Sequence, residues 1–191
     1  CDTHLTVYGN IGNSAAFEMI SGTLIIKGNV GLSCASGMRG GGLFIYGNVG
    51  DKFCSSPNTS REGLVDGNIF IHGSVGSNSI QRMRRGIIVI EKNIGDNCCS
   101  NLISGTIIVK GKIGDNFLEN SKRGTIFGSD KKVIKGYRRA NDANYNFIPF
   151  MSKLLESIYN RKVLRGNSFL RYQGCLTNST NLTEIFLTKK N

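Results

Sequence analysis

Two columns of glycine recur down this chain with one shared spacing. Gly12, Gly31, Gly50, Gly76, Gly95 and Gly114 lie 19, 19, 26, 19 and 19 residues apart, and Gly22, Gly41, Gly67, Gly86, Gly105 and Gly124 repeat the same intervals. A common period with a single seven-residue insertion defines six copies of one unit, the signature of a stacked repeat. Each copy runs from a strand through a Gly-Asn-x-Gly turn and a small-residue stretch to a second turn, as in 24–31 followed by 38–41. So short a unit cannot hold a strand, a crossover helix and their loops. It is therefore predicted to be one turn of an all-β, right-handed parallel β-helix whose strands pair with the coils above and below. Glycine supplies the positive φ that the corners need. Six coils at ~4.8 Å per layer span roughly 24 to 29 Å.

The strands carry their own columns. Leu5, Leu24, Leu43, Ile69, Ile88 and Ile107 form one, and Val7, Ile26, Ile45, Ile71, Ile90 and Val109 another two residues on, so both point into the core. The fourth column (Tyr8, Lys27, Tyr46, His72, Glu91, Lys110) is polar or amphipathic and faces outward. The second column faces outward too, yet after Thr6 it reads Ile25, Phe44, Phe70, Val89 and Ile108. An apolar stripe of that length requires a cover. Either the chain's own C-terminal segment packs on it or it is a subunit interface, and the two are compatible.

After Gly124 the repeat stops, which divides the chain into a solenoid over 1–128 and a basic appendage over 129–191. Within the appendage Lys131, Lys132, Arg138 and Arg139 form a basic connector. Pro149 suits the start of a helix, Phe150, Leu154, Leu155 and Ile158 recur at helical spacing, and 182–187 has the composition of a final strand. The helix is expected to cap or flank the solenoid. The net charge of +11 is lopsided: 1–121 hold 10 Lys/Arg against 9 Asp/Glu, and 122–191 hold 14 against 4. Such a segment attracts an acidic protein face, a polyanionic ligand or nucleic acid, or simply keeps the tail soluble. No apolar run approaches the ~20 residues of a membrane span and the start lacks the pattern of a leader, so the expected location is the cytoplasm. Entry into the first repeat almost at once, without an initiator Met, predicts that upstream coils are missing.

Reactive side chains are few. Cys34, Cys54, Cys98 and Cys99 fall three or four residues after a first-column glycine, where other copies place Ala15, Ala35, Ser79 or Leu118, so cysteine here is a small buried filler. No Cys-x-x-Cys pair exists, and no metal or cluster site is expected. His72 sits in the outward column and no nucleophile motif accompanies it. The run 37–42 is glycine-rich but lacks the Lys-Ser/Thr of a phosphate loop, and the second turn of the repeat accounts for it. Arg39, Arg84, Arg85 and Arg123 precede second-column glycines and would line one edge of the stack, contacting an anion or solvating a corner. The Asn-x-Ser/Thr triplets at Asn58, Asn178 and Asn181 match chance in an Asn-rich chain.

The doubled-glycine unit resembles the GXGXG domain found in glutamate synthase large subunits and in one structural subunit of formylmethanofuran dehydrogenase. The runs Met83-Arg-Arg-Gly-Ile-Ile-Val-Ile90, 103–111 and Lys122-Arg-Gly-Thr-Ile126 look most like the dehydrogenase's GXGXG subunit, and among its relatives like that of the bacterial formyltransferase/hydrolase complex of methylotrophs. The likeness covers about 5–127; in the tail only Gly174, Glu184 and Ile185 follow the family's ending, and Lys92 replaces a repeat glycine. The resemblance implies a noncatalytic structural subunit that binds no cofactor itself. In such complexes a formyl group passes from tetrahydromethanopterin to a methanofuran-type carrier and a metallohydrolase subunit releases formate. In the archaeal relatives molybdenum or tungsten, iron–sulfur clusters and zinc sit in other subunits. The implied partners are the metallohydrolase-like and formyltransferase subunits, with no nucleic acid and no membrane. Two rivals remain: a domain of a glutamate synthase, and a nucleic-acid module suggested by charge alone, which lacks a binding motif.

Overall fold

The structure is a computed structural model that describes residues 3–58, 60–129, 135–140, 145–164, 169–174 and 181–188. Cys1, Lys131, Lys132, Cys175 and Asn178 lie outside the described residues. Six strands of four residues stack as anticipated: β1 (His4–Val7), β2 (Thr23–Ile26), β3 (Gly42–Ile45), β4 (Asn68–Ile71), β5 (Ile87–Ile90) and β6 (Thr106–Val109). Each pairs in parallel with the next, and the registers Leu24↔Leu43↔Ile69↔Ile88↔Ile107 reproduce the sequence columns residue for residue. A second ladder of single-residue parallel bridges joins Ile11, Val30, Val49, Val75, Ile94 and Ile113, the apolar residue just before each first-column glycine.

Polar side chains lock the turns to one another. The Asn29 N–H donates to Asn10 Oδ1, Asn48 N–H to Asn29 Oδ1 and Ser74 N–H to Asn48 Oδ1 at 2.8 to 2.9 Å. Asn13, Asp51 and Asp96 do the same three residues later for Leu32, Ser77 and Asp115. Each such carbonyl or carboxylate oxygen satisfies an amide that the corner leaves without a strand partner.

The two glycine columns are required for different reasons. At Gly86 the backbone has φ of 98°, in the left-handed region that glycine enters freely. First-column Gly114 has no such φ; a Cβ there would lie 2.4 Å from the Gly95 carbonyl oxygen, so close stacking of coils is what excludes a side chain. The expectation of positive φ thus holds for the second column and is corrected for the first.

Between the columns the small-residue stretch alternates through the left-handed region, at φ of 55°, 60° and 54° for Asn97, Cys99 and Asn101. This alternation aims amides at opposite neighbours: Asn97 and Asn101 donate to Asp115 and Glu119 in the following coil, Cys99 to Ser79 in the preceding one. Buried inside are Cys34, Cys54, Cys98 and Cys99, Phe53 and a column not anticipated from sequence, Met38, Leu64, Met83 and Leu102.

The stack does not end where the repeat does. β7 (Arg123–Gly128) follows β6 in register, and the chain then forms β8 (Tyr137–Arg139), α1 (Phe147–Tyr159), β9 (Phe169–Gly174) and β10 (Leu182–Thr188). β10 lies parallel on β7, pairing Ile185 with Ile126 and Phe186 with Phe127, and sends Ile185 and Leu187 into the same core. β9 and β8 then add antiparallel, giving one sheet ordered β1-β2-β3-β4-β5-β6-β7-β10-β9-β8. At this end Ser121 occupies the Met/Leu column, and its buried hydroxyl is 2.6 Å from the Tyr137 hydroxyl. No described helix is long and apolar enough to cross a membrane.

Candidate functional site

The outward apolar column becomes, in the fold, a continuous ladder: Ile25, Phe44, Phe70, Val89, Ile108, Phe127 and Phe186 are successive register partners. Its cover is the chain's own tail. Ile148, Leu155 and Tyr159 of α1, with Val163, Leu164 and Phe169, form a second apolar cluster with Phe70, Val89, Ile108, Phe127 and Phe186. Tyr159 pins the helix to the sheet, its hydroxyl 3.3 Å from the carbonyls of both Ile69 and Ile87 and its ring 5.2 Å from that of Phe70. Burial raises the Tyr159 phenol well above its ordinary value. Of the five residues anticipated as an interface, Phe70, Val89 and Ile108 are therefore sealed intramolecularly, and only Ile25 and Phe44 stay half-buried. The tail is thus the first of the two covers expected for the ladder.

Of the four helix residues expected on one face, Leu155 is buried and Ile158 packs against the second cluster, while Phe150 and Leu154 are exposed. Ile148, Leu155 and Tyr159 point inward, while Phe150 is 69% exposed and Leu154 and Phe147 are 38% exposed. Pro149 stands third in α1, inside the first turn where a missing N–H costs nothing. The exposed side chains leave an apolar strip on the outer surface.

Beside the ladder, the fourth column is knit into a chain of contacts. Lys27 Nζ lies 3.6 Å above the Tyr46 ring, which stacks on His72 at 4.7 Å. His72 Nδ1 meets Glu91 Oε2 at 2.9 Å, and Glu91 Oε1 also takes Lys110 Nζ at 3.0 Å and Arg161 of the tail at 3.5 Å. Burial pushes the Glu91 carboxyl up, but the hydrogen bond and charge of Lys110, with Arg161 and His72 beside it, outweigh burial and hold it below its ordinary value. His72 is thus placed between the Tyr46 ring and the Glu91 carboxylate.

The four arginines are all exposed but do not converge. Arg39, the pair Arg84 and Arg85, and Arg123 precede or begin β3, β5 and β7, alternate strands of the sheet, so about 9 to 10 Å separates each set from the next. Arg84 is held by Glu62 on the insertion. The four described cysteines, Cys34, Cys54, Cys98 and Cys99, are buried free thiols, and among the described residues no group of three His, Cys, Asp or Glu is placed to hold a metal ion.

Comparison with known proteins adds to this geometry. A profile of the GXGXG motif family matches residues 2–144. No curated protein matches significantly by sequence. Among solved structures the chain is similar to one from the formyltransferase/hydrolase complex of Methylorubrum extorquens, crystallised with methylofuran. The TM-score is 0.88 and the identity 26%, over 98% of this chain and 71% of that one.

Proposed function

This chain belongs to the GXGXG motif family, and on that premise we propose that it is the structural GXGXG component of a cytoplasmic formyl-transfer complex in one-carbon metabolism. The observation that carries the reading is the similarity over 98% of the chain to a member of the formyltransferase/hydrolase complex, which includes the tail as well as the repeats. In this role the chain contributes shape rather than chemistry: it holds formyltransferase and hydrolase subunits together while a methanofuran-type carrier and tetrahydromethanopterin are handled by those partners. The docking surfaces would be the half-buried Ile25 and Phe44 together with the strip of Phe147, Phe150 and Leu154. The exposed Arg39, Arg85 and Arg123 would face acidic surfaces of the same partners.

The test is affinity capture of the tagged full-length protein from its source cells at low ionic strength, with mass spectrometry of the bound material. Recovery of formyltransferase and metallohydrolase subunits in fixed ratio is expected. A chain recovered alone, or fused to glutamate synthase domains, overturns the reading.

A further inference from the structure

Where the tail leans on the solenoid it leaves a cleft of about 620 Å3, a size within the roughly 300 to 1,000 Å3 typical of small-molecule sites. Its two sides follow from the repeat. The second column provides an apolar floor in Ile108 and Phe127, and the fourth column provides a polar edge in which His72, Glu91, Lys110 and Ser129 succeed one another coil by coil. The tail supplies the opposite wall through Val163, Leu164 and Phe169, with Arg161 at its polar end. The charges in this cleft do not balance: Lys92, Lys110 and Arg161 line it against one carboxylate among the described residues, Glu91.

We infer that the cleft binds a small organic anion, a carboxylate or phosphate on an apolar body. Its head group lies between Lys92, Lys110 and Arg161, and its body lies along Ile108, Phe127 and Phe169. Glu91 anchors two of those cations and cannot neutralise all three, so an added anion gains charge-assisted hydrogen bonds at a site already partly shielded from water. An extended peptide is the poorer occupant. The floor is formed by β6 and β7, which are hydrogen-bonded to neighbours on both sides, so no free strand edge is offered for augmentation. Ligand binding here is a property of the chain alone and stands or falls separately from its assembly into a complex.

The full-length protein is titrated calorimetrically with octanoate, octanol and octylammonium. Octanoate is expected to bind saturably, at least about tenfold more tightly than octanol, because loss of a charged hydrogen bond is worth roughly that factor. Octylammonium is expected not to bind. Arg161→Gln, an exposed position whose loss leaves the core intact, should weaken octanoate about tenfold, and Thr188→Trp at the cleft wall should abolish binding. If Thr188→Trp alters the melting temperature, the double variant Lys92→Gln/Arg161→Gln takes its place. Equal affinity for octanoate and octanol, unchanged affinity in the arginine variant, no saturable binding at millimolar octanoate, or displacement of octanoate by an oligo-aspartate hexapeptide would each overturn the inference.

Discussion

Lys52 occupies the left-handed region at φ of 58° with its side chain in solvent, at a position where the later coils place Asn78, Asn97 and Asn116. Asparagine tolerates that backbone better than lysine. Lys52→Asn is therefore expected to stabilise the protein by about 0.5 kcal/mol, read as a higher urea midpoint. Gly86→Ala is expected to cost about 2 kcal/mol or more, since the new Cβ would sit 2.6 Å from the Gly67 carbonyl oxygen at a φ alanine avoids. The buried thiols give a pH dependence. Desolvation pushes Cys34 up to about 12 and Cys98 to about 11, and Cys54 and Cys99 well above the ordinary 9.0. Below that ordinary value both folded and unfolded chains hold these protons, and stability does not depend on them. Above it the unfolded chain releases protons that the folded chain retains, so stability falls, by up to about 1.4 kcal/mol per pH unit for each thiol. A melting temperature that declines from pH 9 to 10.5, and declines less in Cys54→Ala, is the expected result.

At the scale of elements, α1 shows how far periodicity carries and where it stops. Apolar residues at three- and four-residue spacing identify the helix, but Phe147, Phe150 and Leu154 are as apolar as Ile148, Leu155 and Tyr159, so the pattern leaves open which side turns inward. That choice is made by a ladder of strands far away in the chain. Leu155→Glu, which buries a carboxylate in the second cluster, is expected to cost about 3 kcal/mol or more and to open residues 145–164 to limited proteolysis. Phe150→Glu should change stability by no more than about 0.5 kcal/mol. The repeat strands were legible down to their register because two glycine columns and two apolar columns index every coil. The alternating left-handed stretch was less so, although its asparagines at 78, 97, 101, 116 and 120 are the trace it leaves. β8 and β9, three and six residues long, left almost none: β9 is placed by its pairing with β10 and β8 by its pairing with β9, rather than by any pattern of their own. The cleft was illegible for a similar reason, since Arg161 meets Glu91 across 70 residues of sequence.

For the whole molecule, solenoid and tail share their cores: β10 contributes to the first cluster and α1 closes the second. A chain ending at Ser129 would bare Phe70, Val89, Ile108 and Phe127 together, and is expected to aggregate during refolding, with light scattering as the check. The two ends of the sheet differ in kind. At one, strand direction reverses through β9 and β8, and the last edge is three residues long with Arg138 and Arg139 exposed, a device that discourages further pairing. At the other, β1 pairs in parallel with β2, in the register that the next five strands repeat. The stack thus has a polarity: its β8 side is terminated, whereas β1 to β7 keep one direction and one register from coil to coil. A designed 19-residue coil inserted among those strands would meet a register already set on both sides, and one laid against β8 would meet a three-residue charged edge.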